Sequence, residues 1–148
     1  MHPALRKIQF EPKLLFDLDT ITQESNVHKT LPQIPDQKAD LIKNELILLM
    51  ETQLLFERPD LTLNEVAKKL DTNTVTLSRV VNQQFELNFN DYINQYRVNA
   101  VIKRIALPEF KNQTLLAIAF DAGFNSKATF NRAFKKFTDK NPKEFLSN

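Results

Sequence analysis

Arg79 and Arg132 carry the side chains best suited to recognition chemistry in this 148-residue chain. A guanidinium offers a planar pair of donors that fits the O6 and N7 acceptors of a guanine in the major groove. Alone, an exposed helical arginine is most often a solvated charge or a surface ion pair, so its neighbours decide. Arg79 belongs to the set Thr74, Val75, Ser78, Arg79 and Asn82; Arg132 belongs to Lys127, Ala128, Asn131, Arg132 and Lys135. At 100° per residue each set lies on one side of a helix, and the two sets occupy the same five angular positions. Their hydroxyls and amides suit base edges or phosphate oxygens, and Val75 and Ala128 suit a thymine methyl. Thr129 adds a hydroxyl beside the second set, and Lys135 and Lys136 can touch bases or phosphates. Asn73, Asn125 and Ser126 mark helix starts whose backbone N–H groups suit a phosphate.

The elements that must position these residues read as a repeat. Residues 114–137 give helix, tight turn, helix. Leu115, Ile118 and Ala119 follow helical spacing, and Ala122-Gly123 then breaks the helix. Gly123 is the only glycine in the chain, and glycine enters φ > 0 without a Cβ penalty. Asn125 or Ser126 can cap the next helix, which buries Phe130, Ala133, Phe134 and Phe137. Residues 62–84 repeat the plan: Thr62, Leu63 and Ala67 match Thr114, Leu115 and Ala119 at an offset of 52. After the turn the offset is 53, and Leu77, Val80 and Val81 form the buried face. The additional residue falls in the turn, where insertions are tolerated.

Composition narrows the field. Hydrophobic residues make up 42% of the chain, with 12 Phe and no Cys, which supports a globular core and excludes disulfides and thiol chemistry. The two histidines, His2 and His28, lie in an irregular stretch, and neither a metal-ligand cluster nor a glycine-rich phosphate loop is present. These inventories argue against an enzyme and predict no cofactor. No apolar run approaches the ~18 residues of a membrane span, and the expected location is the cytoplasm. Residues 61–148 carry 13 Lys and Arg against 8 Asp and Glu, whereas residues 1–60 carry 7 against 10. A basic C-terminal half points to an anionic partner.

Residues 1–35 read as an irregular arm broken by Pro3, Pro12, Pro32 and Pro35, yet Phe10, Leu14, Leu15, Phe16, Leu18 and Ile21 suit docking on the domain or on a partner. Residues 36–57 read as a helix capped by Asp36 and apolar on more than one side, with Leu41, Ile42, Leu46, Leu49, Met50 and Leu54 in its stripe and Ile47, Leu48 and Leu55 widening it. Thr62 and Glu65 form a capping box. Residues 88–106 predict a linking helix with Phe89, Tyr92, Ile93, Tyr96, Ala100 and Val101 inward and Arg97, Lys103 and Arg104 exposed. Pro142 opens a last short helix. The phenylalanines and Tyr92 and Tyr96 read as packing residues rather than a base-stacking platform. The expected fold is all-α: two helix-turn-helix subdomains in a homeodomain-like arrangement, about 62–85 and 114–137, joined by the helix 88–106 within a domain 36–148.

The stretch Ala117–Phe145, AIAFDAGFNSKATFNRAFKKFTDKNPKEF, resembles the DNA-binding domain of AraC/XylS-type bacterial transcription regulators, and Asp91–Ile105 resembles that family's linker helix. The resemblance covers about residues 40–147. It implies a sequence-specific, double-stranded DNA-binding transcription regulator whose two second helices enter successive major-groove segments. Positions matching the family's base readers are Val75, Ser78 and Arg79, and Lys127, Ala128, Thr129 and Arg132. RNA polymerase, and a homodimer formed through the N-terminal arm or a region outside this chain, are the further partners it implies. Full-length members usually carry a sensor or dimerisation region ahead of this domain; none is recognisable in residues 1–35, so either the chain is a piece of a larger regulator or the arm is all there is. Two family glycines are replaced, by Asp71 and by Glu86. The alternative reading is a protein-interaction module on the same scaffold with weakened DNA reading.

Overall fold

The computed structural model describes residues 34–147, and every regular element among them is helical. The helices are α1 (Asp36–Gln53), α2 (Leu63–Lys69), α3 (Thr74–Phe85), α4 (Phe89–Ile105), α5 (Leu115–Asp121), α6 (Lys127–Thr138) and α7 (Pro142–Ser147), with single 3₁₀ turns at Leu55–Glu57 and Pro108–Phe110. The apolar arm residues and both histidines lie outside the described residues.

Two apolar clusters share α4. The first joins α1, α2, α3 and the N-terminal half of α4, with Leu46, Met50, Val66, Leu77, Val80 and Val81 at its centre. The second joins the C-terminal half of α4 to α5 and α6 through Val98, Val101, Ile118, Ala119, Phe124, Phe130 and Phe134. Each of these side chains larger than alanine contributes roughly 1.5–3 kcal/mol when fully buried. Thus α4 is apolar on two sides, not one: Phe89, Tyr92 and Ile93 enter the first cluster, and Val98, Val101 and Ile102 the second. Tyr92 packs tilted against Phe85 at 4.6 Å and Tyr96 stacks on Phe56 at 5.6 Å, while Phe130, Phe134 and Phe145 meet edge to face.

The caps follow the sequence closely. Thr62, Asn73, Asn88, Thr114 and Ser126 each accept a hydrogen bond from the backbone N–H three residues on. The Thr62 box is half closed, because the Glu65 carboxylate turns to Arg58 instead. Asn141 and Glu144 exchange bonds of 2.9 and 2.8 Å at the start of α7.

Three expectations for α1 need correction. The helix ends at Gln53 rather than 57, because Leu54 adopts a left-handed conformation, φ 49°. Pro35 precedes the helix without a side-chain cap, and Asp36 lies in the first turn, where its charge favours the helix dipole. The buried stripe is single, Ala39, Ile42, Leu46 and Met50. Leu41 and Leu48, one heptad apart, are 59% and 60% exposed, since α1 packs on α3 along one face only.

The turns α2–α3 and α5–α6 repeat bond for bond. Asp71 N–H donates to Lys68 O and Thr72 N–H to Ala67 O; Gly123 N–H donates to Phe120 O and Phe124 N–H to Ala119 O, all at 2.9–3.1 Å. Asp71 has φ 58° and Gly123 φ 116°, and Glu86, closing α3, has φ 55°. The left-handed geometry explains why glycine suits both replaced positions: a Cβ there costs roughly 1–2 kcal/mol. Gly123 is constrained further, because a Cβ on it would lie 2.6 Å from Arg97 Nε and closer still to the Phe56 carbonyl oxygen.

Opposite effects on stability follow. Gly123→Ala should cost more than about 3 kcal/mol in urea unfolding, combining a clash with a strained φ. Glu86→Gly and Asp71→Gly should each raise stability, by up to about 1 kcal/mol. Burial also pushes the Tyr92 hydroxyl far above its ordinary pKa, and Tyr96 is raised by the same cause. The unfolded chain then ionises first, so this contribution is whole below about pH 10 and is lost as pH rises further. Absorbance at 295 nm should show tyrosinate appearing together with loss of helix in circular dichroism, not before it.

Candidate nucleic-acid interface

Helices α3 and α6 are each 12 residues long and each follow a capped turn. On α3, Val75 (58% exposed), Ser78 and Asn82 face solvent, with Thr74 half-buried beside them. Arg79 is half-buried and already engages a neighbour. On α6, Lys127, Ala128, Arg132 and Lys135 are exposed, and Thr129 and Asn131 are half-buried. Lys127, Arg132 and Lys135 take no salt bridge among the described residues. The buried faces opposite, Leu77, Val80 and Val81 on α3 and Phe130, Ala133 and Phe134 on α6, hold each helix down by its apolar side and leave the polar side outward.

Local bonding fixes which groups are available. Ser126, not Asn125, caps α6: its Oγ accepts from Thr129 N at 3.1 Å and donates to Thr129 Oγ1 at 3.0 Å. Thr129 is thereby left with its own hydroxyl hydrogen to give. Asn125 is exposed ahead of the helix. Lys136 is committed elsewhere, its Nζ 2.7 Å from Asp91 Oδ2, tying α6 to the start of α4.

Arg97 and Arg104 depart from their expected exposure. Arg104 pairs with Glu57. Arg97 is only 9% exposed. Its Nε donates to Phe56 O at 2.7 Å, one terminal nitrogen to Arg58 O at 2.8 Å and the other to Asn94 Oδ1 at 3.1 Å, and the guanidinium lies 5.9 Å from the Phe124 ring centroid. Desolvation lowers it to about 10, so it stays charged at neutral pH. The signal was in the sequence, since four-residue steps place Arg97 between Ile93 and Val101, both buried. Between residues 59–61, the first half of α4 and α6 lies a polar cleft of about 460 Å³ whose wall includes Asn88, Asn94, Arg97, Asn125, Thr129 and Arg132. Sequence reading missed the cleft because its walls come from segments far apart in the chain.

An outward polar face on a short helix that is locked by a tight turn onto its predecessor is the arrangement of a helix-turn-helix. Residues 66–148 match the family described as helix-turn-helix domain, and the chain belongs to that family. It is a class of transcriptional-regulator domains, not of enzymes. "Probable transcription factor PqrA" of Proteus vulgaris is 27% identical over 110 residues, covering 74% of this chain and 87% of that protein. An uncharacterized HTH-type transcriptional regulator of Staphylococcus aureus (strain COL) is 28% identical over 86 residues, 58% of this chain. The match spans only 11% of that regulator. Among solved structures, a Listeria innocua protein of unknown function superposes with a TM-score of 0.59 at 27% identity, over 72% of this chain and 94% of that one. The C-terminal domain of the two-component response regulator yesN of Fusobacterium nucleatum gives 0.55 at 27% identity, over 74% and 97%. Among the described residues no helix is long and apolar enough to cross a membrane, and no acidic, histidine or cysteine group could hold a metal ion.

Proposed function

We propose that the chain is the sequence-specific, double-stranded DNA-reading part of a bacterial transcription regulator of the AraC/XylS type. In this reading α2–α3 and α5–α6 are two helix-turn-helix units, joined by α4 within a domain 36–148. Helices α3 and α6 enter successive major-groove segments about 34 Å apart. Arg79 and Arg132 read guanines, and Thr74, Val75, Ser78, Asn82, Lys127, Ala128, Thr129, Asn131 and Lys135 contact bases or phosphates. Asn125 and Ser126 lie where the backbone of the α6 turn meets the DNA. Such a protein works in the cytoplasm.

The observation that carries the reading is the duplicated turn, with the same hydrogen bonds at Ala67/Thr72 and Ala119/Phe124 and a capped, outwardly polar 12-residue helix after each. The relatives named as transcription factors and regulators support it.

Selection of random-sequence duplexes at two salt concentrations tests it. Two enriched half-elements about one turn apart are expected. On the selected site, Arg79→Ala and Arg132→Ala should each cost about 1–3 kcal/mol and relax specificity locally. Absence of salt-sensitive binding would favour an interaction module on the same scaffold.

A further inference from the structure

The cleft that Arg97 lines brings α4 groups with no part in base reading against the edge of α6. The Arg97 guanidinium lines it and has no carboxylate partner among the described residues, and the reading arginine Arg132 adds positive charge on its wall. The one carboxylate on its wall, Asp91, is neutralised by Lys136 at 2.7 Å. The neutral groups are biased toward donation. Asn94 spends its carbonyl oxygen on Arg97, leaving its amide N–H groups to give, and Thr129 accepts from Ser126, leaving its hydroxyl hydrogen. A concave site with net positive charge and spare donors fits a tetrahedral oxyanion.

We propose that the cleft bounded by residues 59–61, the first half of α4 and α6 is an oxyanion seat, and that a phosphate of the bound DNA backbone occupies it. The proposal rests on the DNA-reading function above and adds a contact away from α3. Arg97 has a double task in it: its hydrogen bonds fix it to the main chain while its charge attracts the phosphate from behind Asn94. The seat reads no base, so it should strengthen binding to every duplex sequence alike.

Asn94 supplies the test, because Asn94→Asp keeps the acceptor for Arg97 and puts a negative charge in the cleft, whereas Asn94→Lys adds a cation. With the full-length chain and a selected duplex, Asn94→Asp should bind about tenfold more weakly, with a salt slope smaller by about one. Asn94→Lys should bind more tightly with a steeper slope. Replacing single phosphates along the selected site by neutral methylphosphonates should reveal one position that weakens the wild type about tenfold and Asn94→Asp hardly at all. If no such position exists, or if Asn94→Asp binds like the wild type while Arg79→Ala still loses affinity, the seat is overturned and the DNA-reading function stands. If the wild type binds no duplex, that function falls. Inorganic phosphate titrated against the Arg97 Nε–H resonance then decides the seat: a saturable shift absent in Asn94→Asp supports it for free phosphate, and no shift overturns it. Unchanged thermal unfolding of both variants ties the losses to the cleft.

Discussion

The buried guanidinium of Arg97 is the interaction on which the arrangement of the helices depends. It grips the main-chain carbonyls of Phe56 and Arg58 from α4 and lies against Phe124 of the α5–α6 turn. Three segments with no covalent proximity are thereby held around one cation. Without it the Phe56 carbonyl would be left buried and unpaired, at a cost of about 1–3 kcal/mol, while the Arg58 carbonyl would keep only the Leu61 N–H at 3.3 Å. Gly123 is part of the same construction, because only a residue without a Cβ lets the turn come this close to Phe56 and Arg97. The sole glycine therefore meets two demands at once, a positive φ and a close approach.

The same construction separates two kinds of surface on α6. Phe130 and Phe134 face the core, and the groups of the outer face remain solvated. Between them runs a third stripe, Thr129, Arg132 and Lys136, directed toward the first half of α4. Lys136 closes an ion pair there, which at a surface is worth at most about 1 kcal/mol, so it aligns the helix more than it stabilises it. Arg132 stands at the border between outer face and cleft, free to turn to either, whereas Arg79 is already engaged.

Much of this was legible in the chain because local rules carried it. Caps at Thr62, Asn73, Asn88, Thr114 and Ser126 are side chain-to-backbone bonds three residues long, and the repeat of 52 then 53 residues fixed both turns before any packing was known. The choice of Ser126 over Asn125 as cap, and the end of α1 at Leu54, were not legible, since either residue can cap and a leucine at φ 49° has no local signature. Arg97 was misjudged because charge was weighed above its angular position. The exposed Leu41 and Leu48 were misjudged for the converse reason, apolarity having been equated with burial. The cleft depends on tertiary placement of residues 59–61, 88–97 and 125–132 and had no local signal at all.

The sharing of α4 by both apolar clusters has a thermodynamic consequence. In arrays of repeated units, each unit has its own core and its neighbours add interface terms, so the ends can melt while the middle persists. Here the duplicated pieces do not each own a core. Tyr92 and Ile93 complete one cluster and Val98 and Val101 the other, along a single helix of 17 residues. Unwinding α4 removes a wall from both, and neither half can be lost while α4 keeps all its partners. A sequence that repeats twice thus specifies one cooperative unit.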